Sequence, residues 1–213
     1  MKFMLDVQSQ KLVSKKKKFA ELVRGQLCTP LTNYKTWDGE FAIDNGAYSG
    51  LNRNAFFRLL DRNKEKVNQC LFVAVPDIVG NARRTHELFG MITQEKPLLP
   101  WCEKWAYVIQ DGVEDIHLHW YEMKHIFIGG TDNFKDSSSA YDVVKTAKAL
   151  DIHVHVGRVN TIKRYRKYAS LGADTCDGSG VCKYDHMLID IANNVADDNQ
   201  PTLFEESKNE GKT

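Results

Sequence analysis

The sequence predicts an α/β chain, a compact single-domain (β/α)8 barrel of the TIM type, and three observations carry that prediction. Eight short apolar segments read as strands, most of them separated by stretches with helical patterning. The clearest, Cys70-Leu-Phe-Val-Ala-Val-Pro-Asp77, is almost wholly apolar, as a strand covered on both faces of a parallel sheet must be. The strand-end positions Asp44, Asp77, Gln110, Gly129, Gly157 and Asp177 lie 33, 33, 19, 28 and 20 residues apart, room for one βα unit each. The rival is an open doubly wound sheet, but no Gly-x-Gly-x-x-Gly turn follows any strand, so a dinucleotide fold gains no support.

In chain order, Phe3 to Leu5 is a short strand, and a basic helix is expected over Lys11 to Arg24 with Gly25 as its stop. Gln26 to Thr29 is a second short strand, and a polar loop containing Trp37 leads to the strand Phe41-Ala-Ile-Asp44. A helix over Arg53 to Glu65 precedes the Cys70–Asp77 strand, and another over Asn81 to Glu95 follows it. Strands at Trp105 to Gln110, His125 to Ile128 and His153 to Val156 alternate with a helix over Ala140 to Leu150, which Ser137-Ser-Ser139 precedes as loop and N-cap. A basic helix from Ile162 to Leu171 leads to Gly172-Ala-Asp-Thr-Cys-Asp177-Gly-Ser-Gly180, an apolar approach that stops abruptly in an acid bracketed by small residues. One more helix spans Tyr184 to Ala196. Residues 1–196 form the barrel domain, and residues 197–213 are expected to be a disordered polar tail.

Of 213 residues, 42% are hydrophobic and 27% charged, which suits one domain with a sizeable core. Lys and Arg (29) nearly balance Asp and Glu (28), so no overall field draws in polyanions. A nucleic-acid contact must then rest on local patches such as Lys15 to Lys18, Arg83-Arg84 or Lys163 to Lys167, each of which is equally a solvated helix face. Five cysteines without a Cys-x-x-Cys pair imply a reduced compartment, and no apolar run reaches membrane-spanning length. A cytoplasmic protein with no membrane partner is expected.

In a barrel, the carboxyl ends of all strands converge on one mouth, which would bring Asp44, Asp77, Gln110 and Asp177 face to face. Two carboxylates there can divide labour, one attacking or stabilising a sugar carbon while the other handles protons. A third carboxylate beside an amide can read a flat purine edge. Gly129 and Gly130 would let backbone N–H groups approach a planar ligand, and Tyr48 would stack on it. His117/His119 and His153/His155 each put two imidazoles on one face of an extended segment, but packing within a barrel layer or a polar loop is the simpler reading of both pairs.

Phe41-Ala-Ile-Asp44-Asn-Gly-Ala-Tyr48, Val75-Pro-Asp77, Val108-Ile-Gln110-Asp-Gly112, Ile128-Gly129-Gly130, His155-Val-Gly157 and Asp174-Thr-Cys-Asp177 occur in the order seen in tRNA-guanine transglycosylases. The chain resembles that superfamily, closest in style to its small phage and bacterial relatives that insert 7-deazaguanines into DNA. The resemblance covers Phe41 to Gly180 and implies a pentosyltransferase. Asp177 would be the nucleophile that takes the sugar carbon and Asp44 the acid/base. Asp77 would bind the purine N1 and amino edge, with Gln110 and Gly130 at its carbonyl and Tyr48 over the ring. Asn45, Gly129 and Arg158 complete the expected substrate pocket.

The chain departs from the tRNA enzymes in holding no Cys-x-Cys-x-x-Cys set after Asp177, so no structural zinc, no cofactor and no appended RNA-binding domain is expected. Asp44-Asn-Gly-Ala replaces Asp-Ser-Gly-Gly, Thr131 follows the glycine pair, and Arg158 adds a charge. These changes touch the base pocket, while the small size and the missing tRNA-specific parts favour DNA over tRNA as partner, with a free 7-deazapurine as co-substrate, in a bacterial cell or phage-infected host. Lys163, Arg164 and Arg166 are expected to hold backbone phosphates. The alternatives are a DNA glycosylase that lets water resolve the same intermediate, a non-catalytic nucleic-acid-binding barrel, and an enzyme acting on a small sugar phosphate.

Overall fold

The computed structural model describes residues 1–198 and is a closed barrel of eight parallel strands. In order they are β1 (Lys2–Leu5), β2 (Val23–Cys28), β3 (Phe41–Ile43), β4 (Cys70–Ala74), β5 (Trp105–Ile109), β6 (His125–Ile128), β7 (His153–Val156) and β8 (Thr175–Cys176). Each pairs with the next, and β8 returns to β1 through Lys2↔Thr175 and Phe3↔Cys176. The helices outside are α1 (Ser9–Lys18), α2 (Arg53–Asn63), α3 (Ala82–Ile92), α4 (Asp132–Lys135), α5 (Ser138–Ala149), α6 (Ile162–Ser170), α7 (Ser179–Lys183) and α8 (Asp185–Asp198). The crossovers from β2 to β3 and from β5 to β6 contain no α-helix.

Alternation along the strands divides the apolar residues between two layers. Met4, Leu27, Ala42, Phe72, Ala74, Ala106, Val108 and Phe127 fill the barrel interior, a packed core rather than a pore. Their neighbours Phe3, Leu5, Ile109, Ile128, Val154 and Val156 point outward and bury against helix residues such as Leu12, Val144 and Tyr168. Helix starts follow side-chain caps: Asn52, Asn81, Ser137 and Thr161 each accept a backbone N–H from the first turn of α2, α3, α5 and α6.

The basic helix expected to reach Arg24 ends at Lys18, because Phe19 leaves helical geometry to bury its ring, and Val23 and Arg24 already belong to β2. Gly25 is therefore no helix stop. It lies inside β2, where an added Cβ would sit 2.2 Å from the Glu40 carbonyl oxygen, so glycine is required by the approach of the chain entering β3. Short helices α4 and α7 were not anticipated. α8 runs two residues past Ala196, and the rest of the expected tail lies outside the described residues. Among the described residues, no helix is long and apolar enough to cross a membrane.

Candidate active site

Asp44, Asp77, Gln110, Gly129, Gly157 and Asp177 each follow a strand by one to three residues, so the closed sheet carries them to the carboxyl-end mouth. There Asp44, Asn45, Tyr48, Asp77, Gly129, Gly130, Arg158 and Asp177 line one cavity of about 70 Å³. Asp44 and Asp177 also line a second cavity of about 320 Å³, on the side of β1 and β8. The two carboxylates form the wall shared by both spaces.

The two acids are held differently. Asp177 accepts the Arg158 backbone N–H on Oδ1 at 3.0 Å and faces His155 Nε2 through Oδ2 at 3.1 Å. Arg158 has φ +56, a left-handed conformation uncommon for a non-glycine residue, and its N–H is aimed at Asp177 from that conformation. Asp44 accepts the Gly46 backbone N–H at 3.1 Å. Burial, and next the Asp177 charge, push the Asp44 carboxyl up to about 7, against the backbone N–H groups of Gly46 and Asn45. The two acids thus sit in different settings, Asp177 against the Arg158 N–H and the His155 ring, Asp44 buried and keeping its proton to near neutrality.

Asp77 is 6% exposed and held from behind. Asn45 Nδ2 donates to its Oδ1 at 2.8 Å and Gln110 Nε2 to its Oδ2 at 3.2 Å. Burial raises this carboxyl, opposed by those two bonds. Gln110 was expected to touch the ligand, but it is fully buried, does not line the cavity, and accepts the Gly80 N–H at 2.7 Å while bonding Thr85. Asn45 lines the cavity, yet both its amide hydrogens go to Val75 O and Asp77 and its oxygen accepts from Ala47 N. Both amides position Asp77. Of the glycine pair, Gly129 N–H bonds Ile109 O, so Gly130 is the one whose N–H has no protein partner among the described residues.

The roof is Arg158 stacked on the exposed Tyr48 ring, its guanidinium carbon 3.6 Å from the ring centroid, with Nη2 donating to Gly130 O at 2.9 Å. A flat, donor-bearing group thus lies against Tyr48, the contact a planar heterocycle would make. Lys135 reaches the same cavity from α4, fully buried, with Nζ 3.1 Å from Gly157 O. Burial, and then the Arg158 charge, lower it to about 8.

The expected phosphate contacts divide. Arg164 is 9% exposed and grips Asp136 through Nε (3.0 Å) and Nη2 (2.8 Å) and Asp132 through Nη1 (3.0 Å), which corrects its assignment to a nucleic-acid backbone. Arg166 donates to Asn194 O, and Lys163 is exposed, but neither lines a cavity with the carboxylates. Lys11 and Lys183 do: they line the second cavity with Asp6, Thr29 and Ser179 and make no ion pair among the described residues. Asp6 accepts from Thr32 and Tyr34, and burial and the Asp177 charge raise it against those bonds. Lys11, Lys183 and Lys135 carry no signal in the sequence beyond charge. Asp6 had one, an acid directly after a strand, and His155 had its two-residue spacing from His153.

Among the described residues, no group of three or more His, Cys, Asp or Glu is arranged to hold a metal ion. No family model matches the chain, and no curated protein matches it. What fold and site define is a TIM-type barrel with four carboxyl groups, Asp6, Asp44, Asp77 and Asp177, at its mouth, two of them shared between adjoining cavities.

Proposed function

We propose that this protein is a base-exchange enzyme acting on nucleic acid, DNA in the first instance, through a covalent sugar–Asp177 intermediate, with a 7-deazaguanine as the incoming base. The observation that carries the reading is the shared wall: Asp44 and Asp177 stand between a small pocket backed by Asp77 and a larger cavity edged by Lys11 and Lys183. A nucleotide spanning that wall would put its base against Asp77 and Tyr48, its anomeric carbon between the two acids, and its phosphates toward the lysines.

The steps balance. An Asp177 oxygen bonds to C1′ as the bond from C1′ to the base nitrogen breaks, and the departing base takes its proton from Asp44. The incoming deazapurine returns a proton to Asp44 as its nitrogen bonds to C1′, and the Asp177–C1′ bond breaks. A carboxyl titrating near 7 serves as acid in the first half and base in the second. In a duplex the nucleotide is extruded first, at about a few kcal/mol. The glycosylase reading differs only in the second acceptor, since water in place of the base would give an abasic site.

The test is mass spectrometry of nucleosides from DNA treated with the protein, with and without free 7-deazaguanine, together with an assay for alkali-labile breaks. Incorporation of the deazapurine supports exchange, while breaks without incorporation select the glycosylase. An Asp177→Ala variant that binds DNA as before but loses turnover by orders of magnitude separates enzyme from binder. Equal activity in the variant would end both catalytic readings.

A further inference from the structure

A chain of polar side chains descends from the mouth into the barrel. His155 Nε2 is 3.1 Å from Asp177 Oδ2, and its other nitrogen, Nδ1, is 2.9 Å from Thr175 Oγ1. The same hydroxyl is 3.1 Å from His153 Nε2. The strands enforce this contact, because His155 and Thr175 are register partners across β7 and β8 and His153 lies two residues back on the same face. His155 is fully buried between the rings of Phe72 (4.6 Å) and Phe127 (4.8 Å).

A threonine hydroxyl owns one proton, so it donates to one imidazole and must accept from the other. As a nucleophile Asp177 is a carboxylate and only accepts, so His155 donates through Nε2. With a single proton on its ring, His155 then has a bare Nδ1, which takes the Thr175 proton, and His153 donates its Nε2–H to Thr175. The remaining nitrogen of His153 fits this order. Its nearest acid oxygen, Asp174 Oδ2, is 4.0 Å away and already accepts from Lys148 Nζ and Val154 N at 2.8 Å each. Burial lowers His153 to about 4, which keeps it neutral.

We propose that Asp177, His155, Thr175 and His153 form one hydrogen-bonded strut with a single proton order, in which His155 is the positioning residue of the nucleophile. With Arg158 N–H on Oδ1 and His155 N–H on Oδ2, the carboxylate plane is fixed from both sides. The His155 bond is stronger to a carboxylate than to the ester formed in the intermediate, so it favours departure of Asp177 in the second half-reaction. Its catalytic part rests on the base-exchange reading, and its proton order on the hydrogen-bond geometry and the burial of His153.

The experiment has two arms. Long-range 1H–15N spectra of the ¹⁵N-histidine-labelled protein near neutral pH should give both His153 and His155 as neutral Nε2–H tautomers. A His155 that is Nδ1–H or doubly protonated overturns the proposal, whatever the protein catalyses. In the second arm, His155→Gln, whose amide reaches the position of Nε2, should keep most base exchange. His155→Asn, which reaches only the Nδ1 position, should lower turnover at least tenfold with little change in KM and accumulate the covalent adduct. Equal turnover in Asn and Gln variants of the same stability overturns the positioning role. The expected tautomers without any exchange would uphold the strut and reject the base-exchange reading.

Discussion

Replacing Asp44 with Asn should make the protein more stable, by an amount that grows as pH rises from about 4 to about 7. The ordinary carboxyl value is 3.8, and burial beside the Asp177 charge lifts Asp44 to about 7. Between those values, the folded protein holds a proton that the unfolded chain has released, so the wild type loses stability as pH rises from about 4 to about 7. A displacement of about 3 pH units at about 1.36 kcal/mol each sets a ceiling of about 4 kcal/mol, and relaxation around the ionised group brings the expected gain to about 2–4 kcal/mol. Asparagine keeps the Gly46 N–H bond through its own oxygen and carries no charge. Urea denaturation of both proteins near pH 4.5 and near pH 8 measures the difference: about 1 M in midpoint at the alkaline end and about a quarter of that at the acid end. A gap independent of pH, or one that closes toward alkaline pH, would refute the idea that Asp44 is ionised at a cost. The same variant should lose base exchange, since its amide neither gives nor takes the proton.

Arg164→Ala should cost about 1–2 kcal/mol of stability, because three charge-assisted bonds to Asp132 and Asp136 vanish from partners that water partly re-solvates. It should leave the salt dependence of DNA binding unchanged. The Lys11→Ala, Lys183→Ala double variant should do the reverse, with normal stability and a log Kd against log salt slope shallower by about 0.7–0.9 per phosphate lost, read by fluorescence anisotropy across a salt series. A steep wild-type slope that survives the double variant would remove the lysines from the interface. Gly130→Ala should destabilise by about 1–3 kcal/mol in thermal melts, since φ is +72 and the new Cβ would lie 2.5 Å from Asp111 Oδ2. An unchanged melting point would show that the β6 loop yields easily.

The barrel was legible because its strands are short apolar runs that end in polar residues, and the 19 to 33 residues between those ends leave room for one crossover per strand. Asp44, Asp77 and Asp177 could be nominated on the same ground. What the sequence does not carry is where a side chain points after its strand ends. Gln110 looks like a ligand contact until its amide is found turned behind Asp77 toward Thr85 and Gly80. Arg164 sits in a basic run, but acids 28 and 32 residues away claim its guanidinium. Gly25 follows a basic helical run and reads as a stop, whereas it is a contact with Glu40 across two strands that sets its identity. Lys135 is buried by the fold of a four-residue helix that no periodicity announces.

The barrel's seam joins its two ends. β1 rests on β8, the Tyr165 hydroxyl bonds Met1 O at 2.7 Å, and Lys15 Nζ bonds Val181 O at 2.8 Å, contacts 164 and 166 residues apart in the chain. A ribosome delivers β1 before the other seven strands and Asp177 after all eight, so until β8 emerges the first strand waits with one edge unpaired. The last strand to emerge is also the one that carries the candidate nucleophile. A nascent chain therefore brings Asp177 to the mouth only in the event that seals the sheet, and no open, half-made barrel holds a complete set of acids.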